Sequence, residues 1–76
     1  MNMNTLKDIV ESGTTVQKRQ LQAKIVTDGF APATAYAYIT GTRTPRLLYQ
    51  MNIQKYVIKI YGKTIPLAEL FPNNKH

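Results

Sequence analysis

The chain is 76 residues long, 43% hydrophobic and 18% charged, a balance that suits one small folded domain and leaves no room for a second. It has no cysteine, which excludes disulfide staples and thiolate metal sites, and no apolar run near the length of about 20 residues that a membrane span requires. Ten Lys and Arg against four Asp and Glu give a formal charge of +6.

The placement of that charge is more informative than its sum. Residues 29–68 hold no acidic side chain, while Arg43, Arg46, Lys55, Lys59 and Lys63 all fall there. Such a field attracts a polyanion, either nucleic acid or an acidic membrane surface, and the plainer reading is a solvated basic face. The start, Met1-Asn2-Met3-Asn4, lacks the basic and apolar regions of a signal peptide, so the cytoplasm is the expected location.

Asn4 or Thr5 can cap a first helix whose Leu6, Ile9 and Val10 follow the i, i+3, i+4 spacing of a packing face, with Gly13 at its end. Asp8 and Glu11 fall on its outer side, with no partner that would give them acid–base work. Thr14 and Thr15 can cap a second helix running to about Thr27, with Val16, Leu21, Ile25 and Val26 as its expected buried residues. Its polar side carries Lys18, Arg19 and Lys24. Near a helix N-terminus, basic side chains oppose the macrodipole, so Lys18 and Arg19 serve either phosphate contact or solubility rather than helix stability.

Residues 29–46 are punctuated as turn, helix, turn, helix. Gly29 suits a tight turn and Pro32 a first helical position; Gly41 suits a left-handed helix end, and Pro45 can open the next helix. The helix at 32–40 would put Ala35, Tyr38 and Ile39 on one face and turn Thr34, Tyr36 and Ala37 elsewhere. Its free side has no charge of its own, but Arg43 and Arg46 follow its end. Small residues at Ala33 and Ala37 permit close approach to a partner.

From Pro45 onward, Tyr49, Ile53, Val57 and Ile60 keep helical spacing until Gly62, beside a separate ridge of Lys55 and Lys59. The dense β-branched residues of 55–61 also permit a strand, although no breaker interrupts the helical stripe. Pro66 can begin a last short helix at 67–71, ended by Pro72; 73–76 reads as a tail, and its His76 as no ligand.

Gly29, Phe30, Tyr38, Gly41, Arg43 and Pro45 stand where one family keeps a tight turn, a hydrophobic residue, an aromatic, a glycine and a basic loop reaching proline. In this the chain resembles the helix-turn-helix proteins of the phage repressor, Cro and Xre type. Pro45-Arg46-Leu47-Leu48 and Leu70-Phe71-Pro72 are similar to further stretches of such proteins. The likeness is loose over 14–72 and specific only over 29–48. It implies an all-α, lambda-repressor-like domain of five short helices over residues 1–72; a Cro-like α+β form, with a C-terminal β-hairpin, is the alternative. The family usually has Gln, Ser, Asn or Arg at the recognition positions that here hold Pro32, Ala33, Tyr36 and Ala37, so the amide pairs that read adenine are absent.

Two functions follow from different classes. In the first, a transcriptional regulator binds double-stranded DNA as a homodimer through its fourth and fifth helices. Lys18 and Arg19 contact phosphate, Thr34, Tyr36 and Thr40 make polar groove contacts, Ala33 touches a thymine methyl, and Thr42, Arg43 and Arg46 form the basic loop. In the second, the same fold is a protein-interaction module docking through Ala33, Tyr36 and Ala37. Neither reading calls for a cofactor, a metal or a small-molecule ligand. No nucleophile with its base, ligand cluster or glycine-rich phosphate loop argues for an enzyme.

Overall fold

The computed structural model describes residues 5–72, which form five α-helices and, among the described residues, no strand. Asn4 as an alternative cap, and the expected tail at 73–76 with His76, lie outside the described residues.

Helix α1, Leu6–Ser12, is capped by Thr5, whose hydroxyl oxygen accepts from the Asp8 amide at 3.2 Å and donates to the Asp8 carboxylate at 2.7 Å. Leu6, Ile9 and Val10 are buried, as their spacing requires. Helix α2, Thr15–Thr27, begins at a reciprocal cap: Thr14 Oγ1 accepts from the Gln17 amide at 3.1 Å, and Gln17 Oε1 accepts from the Thr14 amide at 2.9 Å. The free amide hydrogens of Gln17 reach across the molecule, Nε2 donating to the Ile60 carbonyl at 3.3 Å. Leu21 and Ile25 are wholly buried, and α2 packs on both α3 and α4.

Val16 departs from expectation. It is 63% exposed, because at about 100° per residue it falls on the side of α2 opposite the buried Leu21 and Ile25, and Gln17 faces the neighbouring helix instead. Val26 is half-buried against the core.

Residues 28–31 turn the chain into helix α3, Pro32–Thr40. Gly29 has φ 106°, a conformation that costs a residue with a Cβ far more than it costs glycine. Pro32 occupies the first helical position, where its missing N–H leaves no bond unmade. Ala35 and Ile39 point into the core, and the helix ends at Gly41 in a left-handed conformation, φ 81°. The Ala37 carbonyl then accepts from the Thr42 and Arg43 amides at 2.9 and 3.3 Å.

Helix α4, Leu47–Tyr61, starts two residues later than the position of Pro45 suggests. Pro45 and Arg46 lie in the extended lead-in, because the Pro45 carbonyl is taken by the Gln50 side chain, Nε2 to O 2.8 Å, while the helical ladder opens from the Arg46 carbonyl to the Gln50 amide at 2.9 Å. The buried stripe is Gln50, Ile53 and Val57. Tyr49 and Ile60, expected in the same stripe as Ile53 and Val57, are only half-buried, because the helix turns Gln50 rather than Tyr49 to the core. Residues 55–61 are helical, so the hairpin alternative is not the form adopted. A final turn, α5 (Leu67–Leu70), returns Leu70 and Phe71 to the core beside Ile65.

Candidate nucleic-acid interface

Phe30, the first side chain after the glycine turn, lies between an aromatic of α3 and one of α4. Its ring meets Tyr38 edge-on at 5.3 Å between centroids and Tyr49 at 4.7 Å. Tyr38 is therefore a packing residue. On the other side of the turn Tyr56 donates to Asp28, and Gln22 Nε2 donates to the Pro32 carbonyl at 3.2 Å, tying the start of α3 to α2. The free face of α3 is thus held from both ends.

With Ala35 and Ile39 inward, rotation of about 100° per residue turns Ala33 and Ala37 to the opposite side, with Thr40 next to them and Tyr36 at one edge. Ala33 is exposed, Ala37 half-buried and Tyr36 49% exposed; Thr34 is half-buried on the other flank. The Thr40 hydroxyl is already engaged, donating to the Tyr36 carbonyl at 3.0 Å and lying 3.1 Å from the Thr42 hydroxyl. The face consequently offers methyl groups and one phenol ring more than hydrogen-bond donors.

Of the expected cations, two meet α3 from α2 and two follow its end along the chain. The Lys18 ammonium lies 5.1 Å from the centre of the Tyr36 ring, a cation–π contact that joins the start of α2 to the middle of α3. Arg19 is exposed and lines a hollow with Gln22 and Pro32, at the start of α3. Beyond its end, Thr42, Arg43 and Arg46 are all exposed on a loop anchored by the Gln50 to Pro45 hydrogen bond. Lys24 and Lys59 line a different hollow, between α2 and α4.

Two features escaped the sequence reading. Gln50 looks like any polar residue on a long helix, and its role as the clamp of the basic loop appears only when its side chain is seen wholly buried. The Lys18–Tyr36 stack joins positions eighteen apart in the chain, which no local pattern announces. Among the described residues, no three His, Cys, Asp or Glu side chains gather as metal ligands do, and no helix is long and apolar enough to cross a membrane. A cleft of about 260 Å³ is lined by Thr5, Lys7, Tyr38, Arg43 and Phe71 among others.

The class defined by this geometry is an all-α domain of five helices, in which α2, a turn and α3 present an uncharged outward face touched by Lys18 and Arg19, with exposed Arg43 and Arg46 following α3 along the chain. Comparison with family models, with curated proteins and with solved structures returned no match to the chain.

Proposed function

We propose that this chain is a DNA-binding transcriptional regulator that lays α3 in the major groove of a duplex and sets its basic loop on the phosphates. One observation carries the reading: α3 presents an outward side free of charge, while basic residues flank it at both ends and no acidic residue occurs in 29–68. A helix that lies in a groove needs a small, neutral surface at the base edges and cations where the phosphate ridges pass. Lys18 and Arg19 suit one ridge, and Thr42, Arg43 and Arg46 the other. The likeness of 29–48 to phage repressors supports the same assignment, and such a regulator works in the cytoplasm, where the DNA is.

A homodimer completes the proposal. A single helix of this length reaches about four base pairs, too few to supply the roughly 4–10 kcal/mol that separates specific from non-specific binding. Ile53, Val57, Ile65, Leu70 and Phe71 are buried in the core and unavailable to a partner, but Leu47, Leu48, Met51 and Ile58 remain exposed along α4. Pairing through that stripe would double the site.

The methyl-rich surface of α3 also favours a second reading, a protein-docking module. Binding of the full chain to random duplex DNA at two salt concentrations separates them. Affinity that falls steeply with salt supports the DNA reading, and absence of binding at low salt favours the docking module.

A further inference from the structure

We infer that α3 recognises the C5-methyl group of pyrimidines in the major groove, an inference that rests on the DNA-binding reading and names what that site selects. Each base pair displays hydrogen-bonding atoms in this groove, but only one element of the display is apolar: the methyl of thymine, or the same methyl on a modified cytosine. A recognition surface must complement the atoms it covers. The outward side of α3 carries the methyl groups of exposed Ala33 and half-buried Ala37, spaced i, i+4 on one side of the helix, with the Tyr36 ring at their edge.

Polar alternatives are few: the Tyr36 hydroxyl at the edge of the face and the half-buried Thr34 hydroxyl on the other flank. Between Pro32 and Thr40 there is no amide, guanidinium, ammonium or carboxylate side chain. The Thr40 hydroxyl spends its hydrogen on the Tyr36 carbonyl. A groove face so poor in donors would leave G O6 and N7 without partners and pay their desolvation, whereas against a methyl group it loses nothing and removes apolar surface from water. The small size of alanine matters as well. It allows the helix axis to approach the groove floor, where the methyl groups stand, and Arg43 and Arg46 supply the attraction that holds it there.

The Lys18 ammonium above Tyr36 adds a positioning role. It holds the phenol ring along the rim of the face, where the ring walls the methyl contact off from water.

Substitution of thymine by uracil in the DNA tests this directly, because it removes the methyl and leaves charge and pairing in place. Binding of the full chain is measured, at one low salt concentration, to four duplexes of equal length: A·T-rich with thymine, the same with uracil, G·C-rich with cytosine, and the same with 5-methylcytosine. The thymine duplex should bind about fourfold more tightly than its uracil counterpart for each methyl touched. A gain confined to the 5-methylcytosine duplex would support the same chemistry with modified cytosine as its source. Ala33→Ser should narrow the ratio. Equal affinity within both pairs would overturn the inference while leaving DNA binding intact, and failure to bind any of the four would overturn both.

Discussion

Tyr56 on α4 donates its phenolic hydrogen to the Asp28 carboxylate, its oxygen lying 2.8 and 2.9 Å from the two carboxylate oxygens. Asp28 sits in the turn between α2 and α3, so this contact fixes the helix-turn-helix to the longest helix of the domain. The contact is also sensitive to pH. Partial burial, then the hydrogen bond to Asp28, then the negative charge of that carboxylate hold the phenol above its ordinary value of 10.0.

Tyr56→Phe should therefore destabilise the fold by about 1–2 kcal/mol near neutral pH, the usual worth of a hydrogen bond to a charged group at a partly exposed site. The folded-state pKa is raised, so the stabilisation is complete below pH 10.0 and is lost as pH rises through the higher folded value. Burial raises the Tyr61 phenol in the same direction. Urea unfolding from pH 7 upward checks the sign: the variant should lose less stability than the parent above pH 10. Equal slopes would remove Tyr56 as the cause.

Two glycines predict different failures. A Cβ at Gly13 would stand 2.5 Å from Gln17 Oε1 and 2.6 Å from Tyr61 Cε1, so Gly13→Ala must push apart the α2 cap and the end of α4, at about 1–3 kcal/mol. A Cβ at Gly29 would meet nothing within 4 Å, and Gly29→Ala should cost about 1–2 kcal/mol through φ 106° alone. Adding Gln17→Ala to Gly13→Ala should relieve part of its clash, whereas the same addition to Gly29→Ala should be additive. Thermal unfolding of the two glycine variants, Gln17→Ala alone and the two doubles decides it.

Arg43→Ala and Arg46→Ala should each weaken binding to every duplex by a similar factor, since phosphate contacts carry no sequence information. Fluorescence anisotropy on two unrelated duplexes is the measurement. Loss on one duplex only would move these arginines from the phosphates to the base edges.

If the chain binds DNA as proposed, about four to six Lys and Arg contacts to phosphate should make affinity fall about 10²–10³-fold between 50 and 200 mM salt. A flat titration would favour the protein-docking reading.

The exposed α4 stripe predicts self-association. Light scattering at micromolar concentration should report twice the chain mass of 8.6 kDa, and Met51→Glu or Ile58→Glu should return it to the single-chain value with the helix content unchanged. A parent protein already at 8.6 kDa, free and on a palindromic duplex, would end the dimer proposal.

What the sequence determined by itself was the punctuation of the fold. Thr5, Thr14, Gly29, Pro32, Gly41 and Gly62 act on backbone groups within a few residues of themselves, so each marks its cap or turn whatever the rest of the chain does. A short helix with three apolar residues at one spacing, such as α1, likewise has only one face to bury. The tertiary structure decided matters that depend on where helices cross. Helix α4 has apolar residues on several sides, and only its packing against α2 selects Gln50, Ile53 and Val57 for the core, leaving Leu48 64% exposed. The same crossing sets Gln17 against the Ile60 carbonyl, and the packing of α2 on α3 brings Lys18 over Tyr36. These are contacts between distant positions, and side-chain periodicity sets which residues share a face but not which face a neighbour will cover.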